Sequence, residues 1–310
     1  MSISGFTFLR NANKLYYPVL ESINSILDLV DEFVIAVGQG DEDDNTLELL
    51  SKISSDKIKI IHTVWDLNTY GGGSEYAHQT DIAKSHCTGD WLFYLQGDEV
   101  IHENDISVIK EACEAYQNDK KIEGFVFKYL HFFGDYEHYF HDHCWYRKEI
   151  RIIRNLADVH SWKDAQSFRV IPNFEGNDYF RKEGTRKLNC KLIEARIFHY
   201  GWVRPPWAMK AKSQTAQENY GLGSSDIYDE NFDYGRLDYC EVFEKASHPA
   251  VMQQRIKELD WENTLRFSGP TCINRPIMKH EKTKYRVINF IEKKLLGERS
   301  LGGFNNFKLV

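Results

Sequence analysis

The chain of 310 residues has little that would brace it covalently or carry it across a membrane. Its six cysteines, at positions 87, 113, 144, 190, 240 and 272, are dispersed. They show neither the paired spacing of a zinc site nor a disulfide framework. No apolar run reaches the roughly 18 residues of a membrane-crossing helix. The amino terminus enters a strand-like run without the basic start and long apolar core of a signal peptide. A reduced, cytoplasmic setting is therefore expected. Positive charge is also short: 39 Lys and Arg against 46 Asp and Glu leave a net charge of −7. That balance argues against wholesale nucleic-acid binding, because phosphate backbones are held mainly by excess Lys and Arg. Only 7 prolines interrupt a chain that is 42% hydrophobic and 27% charged, the composition of a globular protein of one or two domains. Aromatic residues, by contrast, are abundant at 14%, enough to serve both as core and as stacking surfaces for bases and sugars.

The first hundred residues alternate in pattern. Strands are expected at Ser4 to Leu9, Phe33 to Val37, Ile58 to Val64 and Trp91 to Leu95. Helices are expected at Leu15 to Leu29, Leu47 to Ile53 and about Glu75 to Cys87, the last after the flexible junction Gly71 to Gly73. This alternation predicts an α/β fold whose mostly parallel central sheet is flanked by helices. After about residue 122 the pattern changes to strands at Gly124 to Phe133, Ile150 to Arg154 and Arg196 to His199, with helices at about 205–220 and 248–268. We expect one α/β domain over residues 1–225 and a helical carboxyl-terminal extension over 226–310.

The most informative stretch is Gly89-Asp-Trp-Leu-Phe-Tyr-Leu-Gln-Gly-Asp-Glu-Val-Ile101, an apolar strand with an abruptly acidic end. In open α/β sheets, ligands gather beyond the carboxyl ends of the strands. A carboxylate there, beside a glycine that admits a ligand closely, suits a divalent cation carrying phosphates. The competing reading is a solvated acidic turn.

Together these segments resemble family 2 glycosyltransferases of the nucleotide-sugar-binding GT-A fold, over roughly residues 3 to 205. Gly5-Phe-Thr-Phe-Leu-Arg-Asn11 is similar to the family's first strand and donor loop. Phe33-Val-Ile-Ala-Val-Gly-Gln-Gly-Asp-Glu-Asp-Asp-Asn-Thr46 sits like its second strand and acidic turn. Gln79 to Trp91 resembles the helix leading to its metal motif, and Gln96-Gly-Asp98 occupies the Asp-x-Asp position. Two departures stand out: Gln96 replaces the first Asp, and Gly38-Gln39 stands where relatives often carry an Asp pair that reads uracil and ribose. Asp41, Asp43 or Asp44 are the carboxylates available to substitute.

The resemblance implies transfer of a sugar from a nucleotide-diphosphate sugar to a glycan or glycoconjugate acceptor, with inversion. It implies Mg²⁺ or Mn²⁺ held by Asp98, with His199 as a second ligand, and donor contacts from Phe8, Arg10, Gln39, Asp41, Asp81 and Gln96. Asp164 is the general-base candidate, with a structural reading as a helix cap or the partner of Arg169, and Glu149 is its reserve. Trp145 and Trp202 are acceptor-binding candidates, with core anchoring as the alternative. His138, His141, His143 and Cys144 raise a zinc reading, set against an aromatic acceptor-binding loop. Lys279 to Arg299 holds seven Lys or Arg against three Glu and suggests a basic amphipathic helix. Such a helix lies on an anionic membrane surface, here the inner membrane, or packs on its own domain. Alternative readings are a catalytically inactive nucleotide-sugar or carbohydrate-binding protein, which Gln96 favours, and a nucleotidyltransferase. The second lacks a Gly-rich triphosphate loop at Gly5 to Arg10. A dinucleotide dehydrogenase lacks the third glycine after Gly38-Gln-Gly40.

Overall fold

A computed structural model of the chain describes residues 1–221, 228–243, 247–272, 274–297, 301–302 and 305–310. Strands β1 (Ile3–Leu9), β2 (Glu32–Gly38) and β3 (Ile58–Thr63) run parallel, and β1 pairs on its other edge, again in parallel, with β4 (Trp91–Tyr94). β2 reads as an unbroken apolar run because it is buried along its whole length, with both faces covered. Alternation along the strand separates two cores. Phe33, Ile35 and Val37 share one with Val19 and Ile23 of α1 (Val19–Asn24) and Leu50 of α2 (Thr46–Leu50). Val34 and Ala36 face the other, with Ala83 of α3 (Ser74–Ser85). β3, at the end of the sheet, is half exposed.

Beyond β4 the chain turns through Gln96–Asp98 into the short β5 (Glu99–Ile101), and α4 (Ile106–Ala115) returns to the first core through Ile109 and Cys113. There follow β6 (Gly124–Phe133), β7 (His138–Phe140), β8 (Lys148–Arg154), the hairpin β9 (Val159–Trp162) and β10 (Ser167–Val170), and the long β11 (Leu188–Trp202). β8 runs antiparallel to both β4 and β6 and so couples the parallel block to the second half. β11 lies parallel to β6 on one edge and antiparallel to β5 on the other. The α/β class is as expected: the sheet is parallel through β3-β2-β1-β4 and again at β6–β11, with antiparallel links between.

The remaining elements are α5 (Pro206–Tyr220), β12 (Glu241–Val242), α6 (Gln253–Lys257), α7 (Thr283–Leu295) and β13 (Phe307–Leu309). Three expectations need correction. The helix expected over Leu15 to Leu29 is confined to α1: Pro18 keeps the preceding residue out of helical geometry, and beyond Asn24 the chain continues as turns to Leu29. The helix expected over 248–268 is α6 alone, with short 3₁₀ turns at Ala250–Met252 and Glu262–Thr264. The extension is helical only in part: β13 pairs with β11, Phe307 is buried, and Asn306 donates to Glu149 at 2.6 Å. The chain's end thus returns to the sheet. Among the described residues no helix is long and apolar enough to cross a membrane.

Candidate active site

A cleft of about 400 Å³ opens at the carboxyl ends of β1 and β4, and α5 closes its far side. Phe8, Arg10, Gln96, Asp98, Asp164 and Trp202 all line it. Asp98 and His199, distant in sequence, meet for a topological reason. β5 begins one residue after Asp98 and pairs with β11, setting Glu99 opposite His199. The Tyr200 backbone N–H then donates to the Asp98 carbonyl at 2.8 Å. The carboxylate ends 3.5 Å from the ring, Oδ2 to Nε2. A Cβ on Gly201 would collide with both atoms, so glycine keeps that corner open.

The β6–β11 register places His131 beside His199, and their Nδ1 atoms are 3.1 Å apart. His131 Nε2 lies 2.7 Å from the Tyr146 carbonyl, which only accepts, so this nitrogen carries the proton. Burial, with the neighbouring His199, drives the His131 pKa well below the usual imidazole range. Its Nδ1 is therefore an acceptor and His199 Nδ1 the donor. With Nδ1–H committed to His131, the nitrogen that His199 turns to Asp98 is Nε2: protonated, it pairs with the carboxylate, and without that proton it presents a lone pair. Burial alone would lift the Asp98 carboxyl, but His199, Lys212 and Arg204 hold it well below the ordinary carboxylate range.

The residue after Asp98 does different work. Glu99 is fully buried and takes two 2.7 Å bonds from the Arg151 guanidinium and one of 2.7 Å from the Tyr129 hydroxyl. Gln96 is also committed: its Nε2 donates to the Ala165 carbonyl and the Tyr94 hydroxyl, each at 3.3 Å. It ties the acidic turn to the β9–β10 turn that carries Asp164. There Lys163 (φ +60°) and Ala165 (φ +61°) flank Asp164 in left-handed backbone that non-glycine residues seldom adopt. Asn11 (φ +53°), another cleft-lining residue, shares this trait. Such strain clusters where a fold must aim a side chain. The Tyr220 hydroxyl donates to Asp164 Oδ2 at 3.1 Å.

The donor candidates divide. Phe8 stacks on Tyr76 with centroids 5.6 Å apart and meets Trp65 edge-on, and the Arg10 guanidinium lies 5.1 Å from the Trp65 ring. Gln39 and Asp41 line an adjoining cavity over the ends of β2 and β3. Arg10 bridges the two cavities, donating to the Gln39 carbonyl at 3.0 Å. Lys14 holds Asp41 at 2.8 Å and, with burial opposing, keeps its carboxyl low. Asp81 is placed elsewhere: it binds His160 and the Ser161 backbone N–H, both at 2.8 Å, and fastens β9 to α3.

Of the acceptor candidates, Trp202 lines the cleft, whereas Trp145 lies behind it, stacked on Phe140 and facing a separate cavity of about 890 Å³. Their rings touch edge-on at 5.9 Å. Glu149 is fully buried and receives Ser167 and Asn306, which is a structural role. The zinc reading is overturned. His138 pairs with Asp135 and His143 with Glu292, and burial pushes the Cys144 thiol up to about 12. No group of three or more His, Cys, Asp and Glu side chains fit to hold a metal occurs among the described residues.

Sequence reasoning missed Lys212, Thr215, Ala216 and Tyr220, the face of α5 turned to the cleft. Their helical spacing was legible; that this face points inward was not. Burial and the Arg204 charge lower the Lys212 pKa to about 7 against the pull of Asp98. Its ammonium sits 5.1 Å from the Trp202 ring. Arg204, fully buried, secures the loop before α1 through the Leu15 carbonyl at 2.8 Å.

No protein-family model matches the chain, and no curated protein does. Among solved structures, S. aureus TarS is similar over 73% of this chain and 41% of its own, at 14% identity and a TM-score of 0.36. TarS 1–349 in complex with UDP-GlcNAc is similar over 43% of this chain and 35% of its own, at 20% identity and a TM-score of 0.29. The same segment with UDP gives 43%, 36%, 20% and 0.29. The chain thus spans less than half the length of these structures, and likenesses so slight carry no argument.

Proposed function

We propose that the chain is a glycosyltransferase of GT-A type, moving a sugar with inversion from a nucleoside-diphosphate sugar to a glycan or glycoconjugate hydroxyl. The observation that carries this reading is that Asp98, backed by His199 at 3.5 Å, lines one cleft with Asp164 and Lys212. The cleft supports each step that inverting transfer requires. Phe8, Trp65 and Arg10 offer rings and a guanidinium to the base and ribose, with Gln39 and Asp41 next to them. Lys212, whose pKa burial lowers, offers an ammonium whose charge an arriving diphosphate favours. Asp164 takes the acceptor proton as the acceptor oxygen bonds to C1 and the C1–diphosphate bond breaks. Trp202 offers an apolar face to the acceptor sugar and helps exclude water.

A Mg²⁺ or Mn²⁺ ion fits the Asp98–His199 corner. Two ligand atoms converge there, a glycine leaves space, and His131 fixes the ligating tautomer as outer partners of metal-bound histidines do. With two protein ligands, the cation would take its remaining positions from diphosphate oxygens and water, the habit of Mg²⁺. When bound, it would supply charge neutralisation on the leaving diphosphate.

Gln96 favours a second reading, a nucleotide-sugar-binding protein without turnover, because the Asp-x-Asp carboxylate it replaces is absent and its amide is engaged elsewhere. Acceptor-dependent release of nucleoside diphosphate separates the two. Release that Asp164→Asn abolishes, with donor binding preserved, supports the transferase. Donor binding without release on a broad acceptor panel supports the second reading.

A further inference from the structure

α7 is amphipathic, yet it sits with its acid inward and much of its apolar surface outward. Glu292, its only carboxylate, is fully buried and accepts from His143 Nδ1 at 2.7 Å, Arg147 Nη2 at 2.9 Å and the Leu301 backbone N–H at 2.6 Å. On the other side Val287 is 53%, Phe290 62% and Leu295 72% exposed. Thr283, Val287, Phe290 and Lys294 follow one another at helical spacing and form one exposed stripe. Lys284 and Arg286 flank it, and Lys282 precedes it, all exposed. A helix that packed only on its own domain would turn Phe290 and Leu295 inward. Here a buried ion-pair cluster pins the opposite orientation.

From this placement we infer that α7 docks the protein on an anionic lipid surface, lying in the interface plane with Val287, Phe290 and Leu295 among the acyl chains. Charge complementarity selects the occupant. The outward face carries cations and no carboxylate of its own helix, on a chain whose net charge is −7. A second copy brought face to face would oppose like charges around the stripe. A nucleic acid would leave the central apolar residues unburied. An interfacial helix wants both features together, apolar residues for the acyl boundary and Lys or Arg for the head groups. The inference stands independently of the transferase assignment.

The test is flotation of the full chain with vesicles. Vesicles rich in phosphatidylglycerol should carry the protein, and pure phosphatidylcholine vesicles should carry far less. High salt should weaken the binding. The double variant Phe290→Ser, Leu295→Ser should bind at least about tenfold more weakly, as should Lys284→Glu with Arg286→Glu. Val64→Ser, at an exposed apolar residue on the far β3 edge of the sheet, should bind as the parent does. These substitutions lie on exposed surface, and unchanged melting temperatures check that the fold is kept. Absence of binding to anionic vesicles, or equal binding by the double variant, overturns the inference. So does a concentration-dependent dimer in sedimentation that Phe290→Ser dissolves, because it assigns the face to a second copy.

Discussion

Asp98 and Asp164 face one cleft, and the fold holds them by opposite means. Asp98 stands on a scaffold of strand pairing: its carbonyl is bonded across to β11, its neighbour Glu99 is clamped by Arg151, and its partner His199 is oriented by His131. Asp164 stands on a short hairpin turn whose aim comes from two left-handed residues, with a tyrosine hydroxyl as its partner. The contrast suits the chemistry proposed for each. A cation ligand needs fixed geometry. A group that takes a proton must instead meet an acceptor that arrives from solution.

Substitutions can break this contrast at either end. Asp164→Asn keeps size and polarity but removes the proton acceptor, so turnover should fall about 10²–10⁴-fold while donor affinity holds. Steady-state release of nucleoside diphosphate, beside calorimetric donor binding, reads both; near-normal turnover would remove Asp164 from the base role. Next comes the scaffold. Arg151→Met strands Glu99 as an unpaired buried charge and should cost about 3–5 kcal/mol in urea unfolding. Adding Glu99→Leu should recover much of that loss, and failure to recover it would mean that the pair is not what holds the turn. His131→Phe removes the acceptor for His199 Nδ1–H and frees the ring. Cation affinity should drop about 10–100-fold with the melting temperature little changed, as read by Mn²⁺ titration.

The smallest effect lies at the opposite end of the sheet, away from the cleft. Glu32, at the start of β2, joins β1 to β3 through Ser4 and Lys59 and also binds Thr88. Burial opposes ionisation, but these bonds prevail and bring its carboxyl from 4.5 to about 2. A depressed carboxyl pKa stabilises the fold above the unfolded value, and that stabilisation is lost as pH falls. Glu32→Gln should therefore cost about 2 kcal/mol at pH 7. Parent and variant should converge as pH drops from about 4.5 towards 2, followed by denaturant unfolding across that window. A gap that persists at the acid end would place the interaction in packing rather than charge.

How far these features were legible in sequence depends on how local they are. β1, β2, β4 and β6 could be read within a residue or two, because continuous apolar runs bounded by polar turns mark buried strands. Asp98 was legible as a carboxylate at a strand end. His199 as its companion rested on family resemblance, since the contact depends on β5 pairing with β11. His131 was invisible for a related reason: it reaches His199 only through the β6–β11 register. Asp81 misled because a carboxylate late on a helix looks alike whether it meets a ligand or, as here, fastens a hairpin. The orientation of α7 was also hidden, since helical periodicity reports that two faces exist and not which one turns inward.

The most direct test of the central claim is thermal stabilisation by UDP-, GDP-, CMP- and dTDP-sugars, with and without Mn²⁺, on the parent and on Asp98→Asn. A ligand that binds the native state raises its melting temperature by mass action. The account predicts a rise with one nucleotide class that requires the cation and disappears in Asp98→Asn. A rise that ignores both the cation and the substitution would contradict the Asp98–His199 site, and no rise with any donor would contradict the nucleotide-sugar reading of the cleft.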